Sequence, residues 1–356
     1  MATLKLRDRD GITTKEGLIF RVFGYSHPPE SFVCDAEYAS SEIFKSNNPK
    51  APRGSGRNAF YKFYEDEGWK FIQRRFPQYM TFHEMLGKKM VGVNRNDIFE
   101  VKKPDVVLRK LVGATGNDDL LAAMRNLLNI VLESSDLHLE DFGVFGSLLH
   151  GFHHPKYSDI DLIIYGERNL VKLRETLGEL YESGFSRLTN EFETDQTIRG
   201  KDWRFKNLSP DEYLWHQRRK LIYALFEDSK TGRTIKTEFE PVKDWKEIDN
   251  EYDSKTRIVP RGWTRMLAKV TEDNDAPFVP SIYNIEPLEI LEGQREASEA
   301  KRVFSYVEEF RMQAKKGETV DVRGNLEEVM TPSGNFLQVT LTYCPCYYEQ
   351  VLKVKV

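Results

Sequence analysis

Residues 143–164 hold a pattern able to do phosphate chemistry. Gly143-Val144-Phe145-Gly146-Ser147 is followed by Gly151 and then by Ser158-Asp159-Ile160-Asp161-Leu162-Ile163-Ile164. Side chains alternate across a strand, so Asp159 and Asp161 share one face while Ile160, Leu162 and Ile164 take the other. Two carboxylates this close raise each other's pKa unless a cation lies between them. Paired carboxylates with substrate phosphates are a usual oxygen donor set for Mg²⁺. Gly146-Ser147 follows an apolar stretch and opens a helix, where backbone N–H groups and the Ser hydroxyl suit a phosphate. Gly146 allows close backbone approach. A third acid is expected from a later strand. Thr234-Ile235-Lys236-Thr237-Glu238-Phe239-Glu240-Pro241 offers Glu238 and Glu240 on one face with Lys236. Either could bind a metal and accept the proton of an attacking hydroxyl.

These residues need strands and helices to hold them. Apolar residues at helical spacing predict a helix over 118–132, and another over 169–181. Phe142–Phe145 and Ile160–Tyr165 read as strands. Ser209-Pro210-Asp211-Glu212 is a helix start, with a Ser cap, a Pro in the first turn and acids near the positive end of the dipole; the helix is expected to run to about Phe226. After the turn at Thr231-Gly232-Arg233 a strand Thr234–Glu240 is expected, ended by Pro241.

The flanks read as β-rich. Leu18–Phe23 and Ser31–Tyr38 predict paired strands around a turn at Ser26-His27-Pro28-Pro29. The last zone shows strand patterns over Arg302–Val307, Thr319–Gly324, Phe336–Tyr343 and Tyr347–Val356, with loops at 249–255 and 271–280. These short strands suit a small barrel, an OB-fold being one candidate. The fold class expected is α+β. A core of mixed sheet with helices (111–245) lies between β-rich modules at 1–110 and 246–356.

A chain of 356 residues has room for two or three domains of roughly 100–200 residues and needs no staple. With 40% hydrophobic and 30% charged residues, the composition excludes disorder, collagen and a coiled-coil rod. A net charge of -4 excludes a globally basic nucleic-acid coat but not a local basic patch. Three cysteines do not make a secreted disulfide scaffold. No signal-peptide or membrane-spanning run is read, so a soluble, cytoplasmic protein is expected.

Gly146-Ser147 followed by Ser158-Asp159-Ile160-Asp161-Leu162 resembles the signature of the DNA polymerase β-like nucleotidyltransferase superfamily. The likeness spans about residues 140–241, and the flanks look like those of uncharacterised archaeal members. It implies a two-Mg²⁺ enzyme, with Mn²⁺ a substitute, that moves a nucleoside monophosphate from a triphosphate such as ATP to an acceptor hydroxyl and releases pyrophosphate. Asp159, Asp161 and Glu238 would be catalytic. Those three and Glu240 form the metal-ligand candidates. The family's third acid often lies three residues before a Pro, which favours Glu238. Gly146, Ser147, Ser158, Lys156, Arg218 and Arg219 would contact the nucleotide. His150 stands where many members have Arg, and the third acid is Glu rather than Asp. RNA, tRNA included, is the favoured acceptor. The alternatives are a non-catalytic RNA-binding protein with a degenerate core, or an enzyme acting on a small molecule or protein hydroxyl. The number of subunits is left open.

Other motifs are weighed beside these. His150, His153 and His154 fit no strong zinc spacing and read as a polar loop near phosphate, with Lys156 and Ser158. Cys344-Pro345-Cys346 is a weak metal signal, and Cys34 reads as core. Arg218-Arg219-Lys220 reads as a solvated helix face or as a basic wall beside the triphosphate. Arg53–Arg57 followed by Phe60, Tyr61, Phe63 and Tyr64 mixes donors with rings; it is core or a single-strand contact.

Overall fold

The computed structural model describes residues 4–54, 59–116, 118–184, 186–200, 202–250 and 252–355. Arg57 of the basic loop and Val356 of the last expected strand lie outside the described residues. The chain divides into two compact units. The first takes residues 1–83, 88–188 and 225–252, and the second takes 84–87, 189–224 and 253–356.

The first unit opens with β1 (Gly11–Thr13), β2 (Leu18–Val22), β3 (Ser31–Ser40), β4 (Pro52–Arg53), β5 (Phe60–Lys62), β6 (Met80–His83), β7 (Lys88–Asn94) and β8 (Glu100–Lys102). The main path is β4-β5-β3-β2-β1-β8, and β7 joins both β3 and β6. The expected pair is present, with Leu18 opposite Ala39 and Val22 opposite Cys34. Phe20, Val22, Phe32 and Cys34 pack in one core with Phe63 and Ile72. Two helices not read from the sequence, α1 (Glu67–Arg75) and α2 (Pro104–Gly113), lie in this region.

Next come α3 (Asp119–Glu133), β9 (Phe142–Val144), α4 (Gly146–His150), β10 (Ile160–Tyr165) and α5 (Glu167–Ser183). Asp118 caps α3, its carboxylate accepting from the Leu121 N–H at 3.0 Å. β10 pairs antiparallel with β9, and parallel with a later strand that runs from Arg233 to Val242. Ile160 and Leu162 to Tyr165 are all buried, which marks β10 as a strand covered on both faces. The mixed sheet with helices is as expected.

Between these strands lie β11 (Leu188–Asn190), α6 (Pro210–Lys220) and β12 (Tyr223–Asp228); β13 is the strand Arg233–Val242. Ser209 and Glu212 cap α6 reciprocally, at 3.2 and 2.7 Å. The helix is shorter than expected. Leu221 turns left-handed at φ 53°, and 223–228 becomes strand because Ala224 and Phe226 alternate into the core. β13 runs through Pro241 to Val242, past the expected end at Glu240.

In the second unit β14 (Arg257–Glu272), β15 (Ser281–Glu292), β16 (Ala300–Ser305), β17 (Thr319–Thr331), β18 (Gly334–Leu341) and β19 (Val351–Val354) form one sheet. Its order is β14-β15-β16-β18-β17-β19, and β14 also pairs with β17, so the first five strands close a barrel. β16 and β18 run parallel. Two strands of the barrel, β14 and β15, are not read from the sequence. β14 alternates (Thr264, Met266, Ala268 and Val270 inward), but bulges break its register with β15 and bend it between two neighbours. At Gly324 the β17 backbone comes so close to β18 that a Cβ would sit 2.8 Å from the Thr340 carbonyl oxygen. Residues 347–349 are a 3-10 turn rather than strand.

His216 of α6 is buried in this unit. Its Nδ1 donates to the Glu212 carbonyl at 2.7 Å, and its Nε2 accepts from the Val354 N–H at 3.0 Å, so the ring is neutral. Burial lowers its pKa to about 4. A group depressed on folding stabilises fully above its unfolded pKa and loses that contribution as pH falls through the folded one. Stability of this unit is expected to drop by on the order of 2–3 kcal/mol between about pH 6.5 and 4. Chemical denaturation across that range checks it: His216→Gln should flatten the decline, and an equally steep decline in that variant contradicts it.

Candidate active site

The turn from β9 into α4 seats the first carboxylate. The Phe145 N–H donates to the Asp161 carbonyl at 3.1 Å, which closes β9 on β10. Gly146 then has φ 61°, and a Cβ there would lie 2.5 Å from Asp161 Oδ2. Only glycine fits this position for both reasons. Asp161 therefore rests on the Gly146-Ser147 turn. Ser147 is half-buried in the first turn of α4, and Gly151 ends that helix in the left-handed region at φ 72°.

Asp159 is exposed, one residue before β10. Loss of solvent, and next the charge of Asp159, push the Asp161 pKa up to about 7. Glu238 of β13 is in register with Asp161, and neighbours in register on parallel strands share a face. Glu238 is half-buried.

Glu240 is placed differently. It pairs in register with Ile163, is 1% exposed and accepts from the Arg9 guanidinium. Arg9 comes from the Leu6-Arg7-Asp8-Arg9-Asp10 segment before β1. It also lies 3.5 Å from Asp8 and 5.6 Å from the Phe145 ring. Arg7 of the same segment covers the Tyr165 ring at 3.5 Å. The sequence reading passed over this buried Arg-Asp-Arg-Asp run. Its hydrogen-bond partners lie up to 236 residues away, so no local spacing marks it.

The loop after α4 is held as one piece. Arg233 donates to the carbonyls of Pro155 and Ser158 at 3.1 and 2.6 Å. Ser158 Oγ accepts from the His154 N–H at 2.8 Å, and Lys156 is exposed. His153 contacts Asp118 at 3.1 Å. His150 is buried between Tyr38 and Phe152, 3.6 Å from Glu37. The three histidines thus take separate partners.

Arg218 and Arg219 belong to the second unit. Arg218 donates to the carbonyls of Phe192 and Glu193, and Arg219 to the Glu318 carboxylate. Lys220 is buried, with its amine on the Glu309 carbonyl at 2.7 Å. Cys34 is core, as expected, while Cys344 and Cys346 are half-buried thiols. Phe63 packs on Phe44 and Phe71, and Phe60 on Phe152. Arg53 folds back on the carbonyls of Lys50 and Pro52.

Among the described residues no group of three or more His, Cys, Asp or Glu side chains is drawn together tightly enough to hold a metal ion. The donor chemistry nevertheless fits a hard divalent cation. Asp159 and Asp161 repel one another, and Glu238 stands beside Asp161. Among the described residues no helix is long and apolar enough to cross a membrane.

A glycine turn lies under one Asp of the Asp-x-Asp strand, and an acid stands in register with that Asp on the next strand. Residues 124–241 match the family model described as "Nucleotidyltransferase domain", and the chain carries that domain. Over 358 aligned residues, covering 99% of this chain and 100% of the relative, it is 28% identical to "Uncharacterized protein MJ1086" of Methanocaldococcus jannaschii. No solved structure matches the chain.

Proposed function

We propose that the protein transfers a nucleoside monophosphate from a nucleoside triphosphate to an acceptor hydroxyl, releasing pyrophosphate. The observation that carries this is the register of β10 and β13, which sets Glu238 beside Asp161 above the Gly146 turn. Asp159, Asp161 and Glu238 would hold Mg²⁺, or Mn²⁺ in its place. Bound there, the cation supplies neutralising charge to the phosphates. Gly146 and Ser147 place backbone and hydroxyl donors toward the triphosphate, with Ser158 and Lys156 on the following loop. The acceptor oxygen attacks the α-phosphorus, the bond to the bridging oxygen breaks, and Glu238 takes the hydroxyl proton. Glu240 is reserved for Arg9 and does not enter the chemistry. An RNA acceptor is favoured by the second unit, whose closed five-stranded barrel is of the size that OB-folds use for single strands.

Glu238→Gln and Glu240→Gln test this assignment. Glu238→Gln is expected to lower pyrophosphate release on the order of 10²-fold or more with the unfolding midpoint unchanged. Glu240→Gln should lower that midpoint while its folded fraction keeps turning over. The reverse pattern would exchange the two roles. Mass analysis of RNA, protein and small-molecule acceptors after incubation with labelled triphosphates identifies the acceptor.

A further inference from the structure

The first sheet brings a cation to the carboxylates of the second. Phe60 and Lys62, the first and third residues of β5, share a face because strand side chains alternate. Phe60 packs 4.8 Å from Phe152, the residue after Gly151. Tyr38, which pairs with Lys62 across β3 and β5, packs 5.5 Å from His150 and 5.4 Å from Phe152. Two independent ring contacts therefore turn the Lys62 face of the sheet toward α4 and the segment that follows it.

Lys62 is half-buried there. Among the described residues its amine makes no hydrogen bond and no ion pair, and its ring neighbour is Tyr64 at 5.9 Å. The charges that act on Asp161 are mostly acidic. Asp161 feels Lys62 with a sign opposite to that of Asp159, Glu37 and Glu240. Glu37, on β3, lies 3.9 Å from Arg21 and 3.6 Å from His150. An ammonium losing water without a protein partner is costly unless a ligand brings the anion. A lysine serves phosphate as a compact point charge with three donors.

We propose that Lys62 is a phosphate-binding residue of the nucleotide site, lent by the N-terminal sheet to hold the polyphosphate of the incoming triphosphate. This rests on the nucleotidyl-transfer reading and adds a residue that lies outside the matched domain, 124–241.

Calorimetric titration of the full chain tests it, with inorganic tripolyphosphate and α,β-methylene nucleoside triphosphates as probes in Mg²⁺. Lys62→Gln is expected to weaken tripolyphosphate binding about 10- to 100-fold, the range of a charge-assisted contact. Lys62→Arg should stay within about threefold of the parent, since charge rather than shape is required. Thermal unfolding of both variants should match the parent. If Lys62→Gln binds tripolyphosphate as the parent does, Lys62 is not a phosphate ligand, and the transfer reading stands untouched. If the parent protein binds neither probe, the transfer reading itself falls, and Lys62 with it.

Discussion

If the proposed transfer is right, asparagine at both Asp159 and Asp161 is expected to lower it by on the order of 10³-fold or more, because it removes the charge that would hold a divalent cation against the triphosphate. The fold should survive. Asp161 carries a pKa raised to about 7, so the folded protein holds its ionised form poorly. A group raised on folding contributes stability below its unfolded pKa, near 3.8, and loses it as pH climbs through the folded value. Without divalent cations, the parent should therefore lose stability between about pH 4 and 7 relative to the double variant. At pH 8 the variant should melt at the same temperature or higher. Adding Mg²⁺ should raise the melting temperature of the parent, since an ion bound only by the folded state stabilises it, and leave the variant unmoved. Pyrophosphate release and calorimetric melting at both pH values are the measurements. Transfer that persists in the double variant rules out these carboxylates as the reactive centre.

The second large effect concerns the N-terminal segment. Arg9 and Glu240 are each 1% exposed at the side chain and face one another across the first unit. Removing one member of such a pair leaves a buried charge, which costs roughly 3–5 kcal/mol. Arg9→Met is expected to lower unfolding stability by about that amount. Arg9→Met with Glu240→Met should recover at least half of the loss, because apolar replacement of both partners is often neutral. Recovery stays incomplete, since Asp8 also loses its 3.5 Å neighbour. Urea unfolding of the single and double variants measures this coupling directly. Purely additive losses would mean that the pair does not hold the segment.

The same pair explains why Glu238 and Glu240 look alike in sequence. Both sit on the outward face of an alternating strand, two residues apart. Strand period makes them equivalent, and nothing local separates them. In the structure one is in register with Asp161 and the other is occupied by an arginine from the beginning of the chain. The proximity of Pro241 favoured Glu238 by resemblance alone. It did not end the strand, whose pairing with β10 continues to Val242.

Other elements show where local reading succeeds. β10, α3, α5 and the start of α6 follow from apolar period and caps, because those signals act within a few residues. The end of α6 does not, since Leu221-Ile222-Tyr223-Ala224-Leu225-Phe226 carries apolar residues compatible with helix or strand. Pairing in the sheet decides it. β14 and β15 were missed for a similar reason. Bulges interrupt their register with one another, and β14 also depends on β17, whose first residue Thr319 lies opposite Lys269 from far along the chain.

By itself, then, the amino-acid order determines the Gly146-Ser147 turn, the paired aspartates and the mixed α+β core around them. Each depends on backbone geometry and side-chain period over short distances. Tertiary structure alone decides that Glu238 stands in register with Asp161, that a buried arginine holds Glu240, and that the face of β5 bearing Phe60 packs on Phe152 after α4. Those outcomes depend on groups meeting across long stretches of chain, where a partner's identity is a matter of register rather than of spacing.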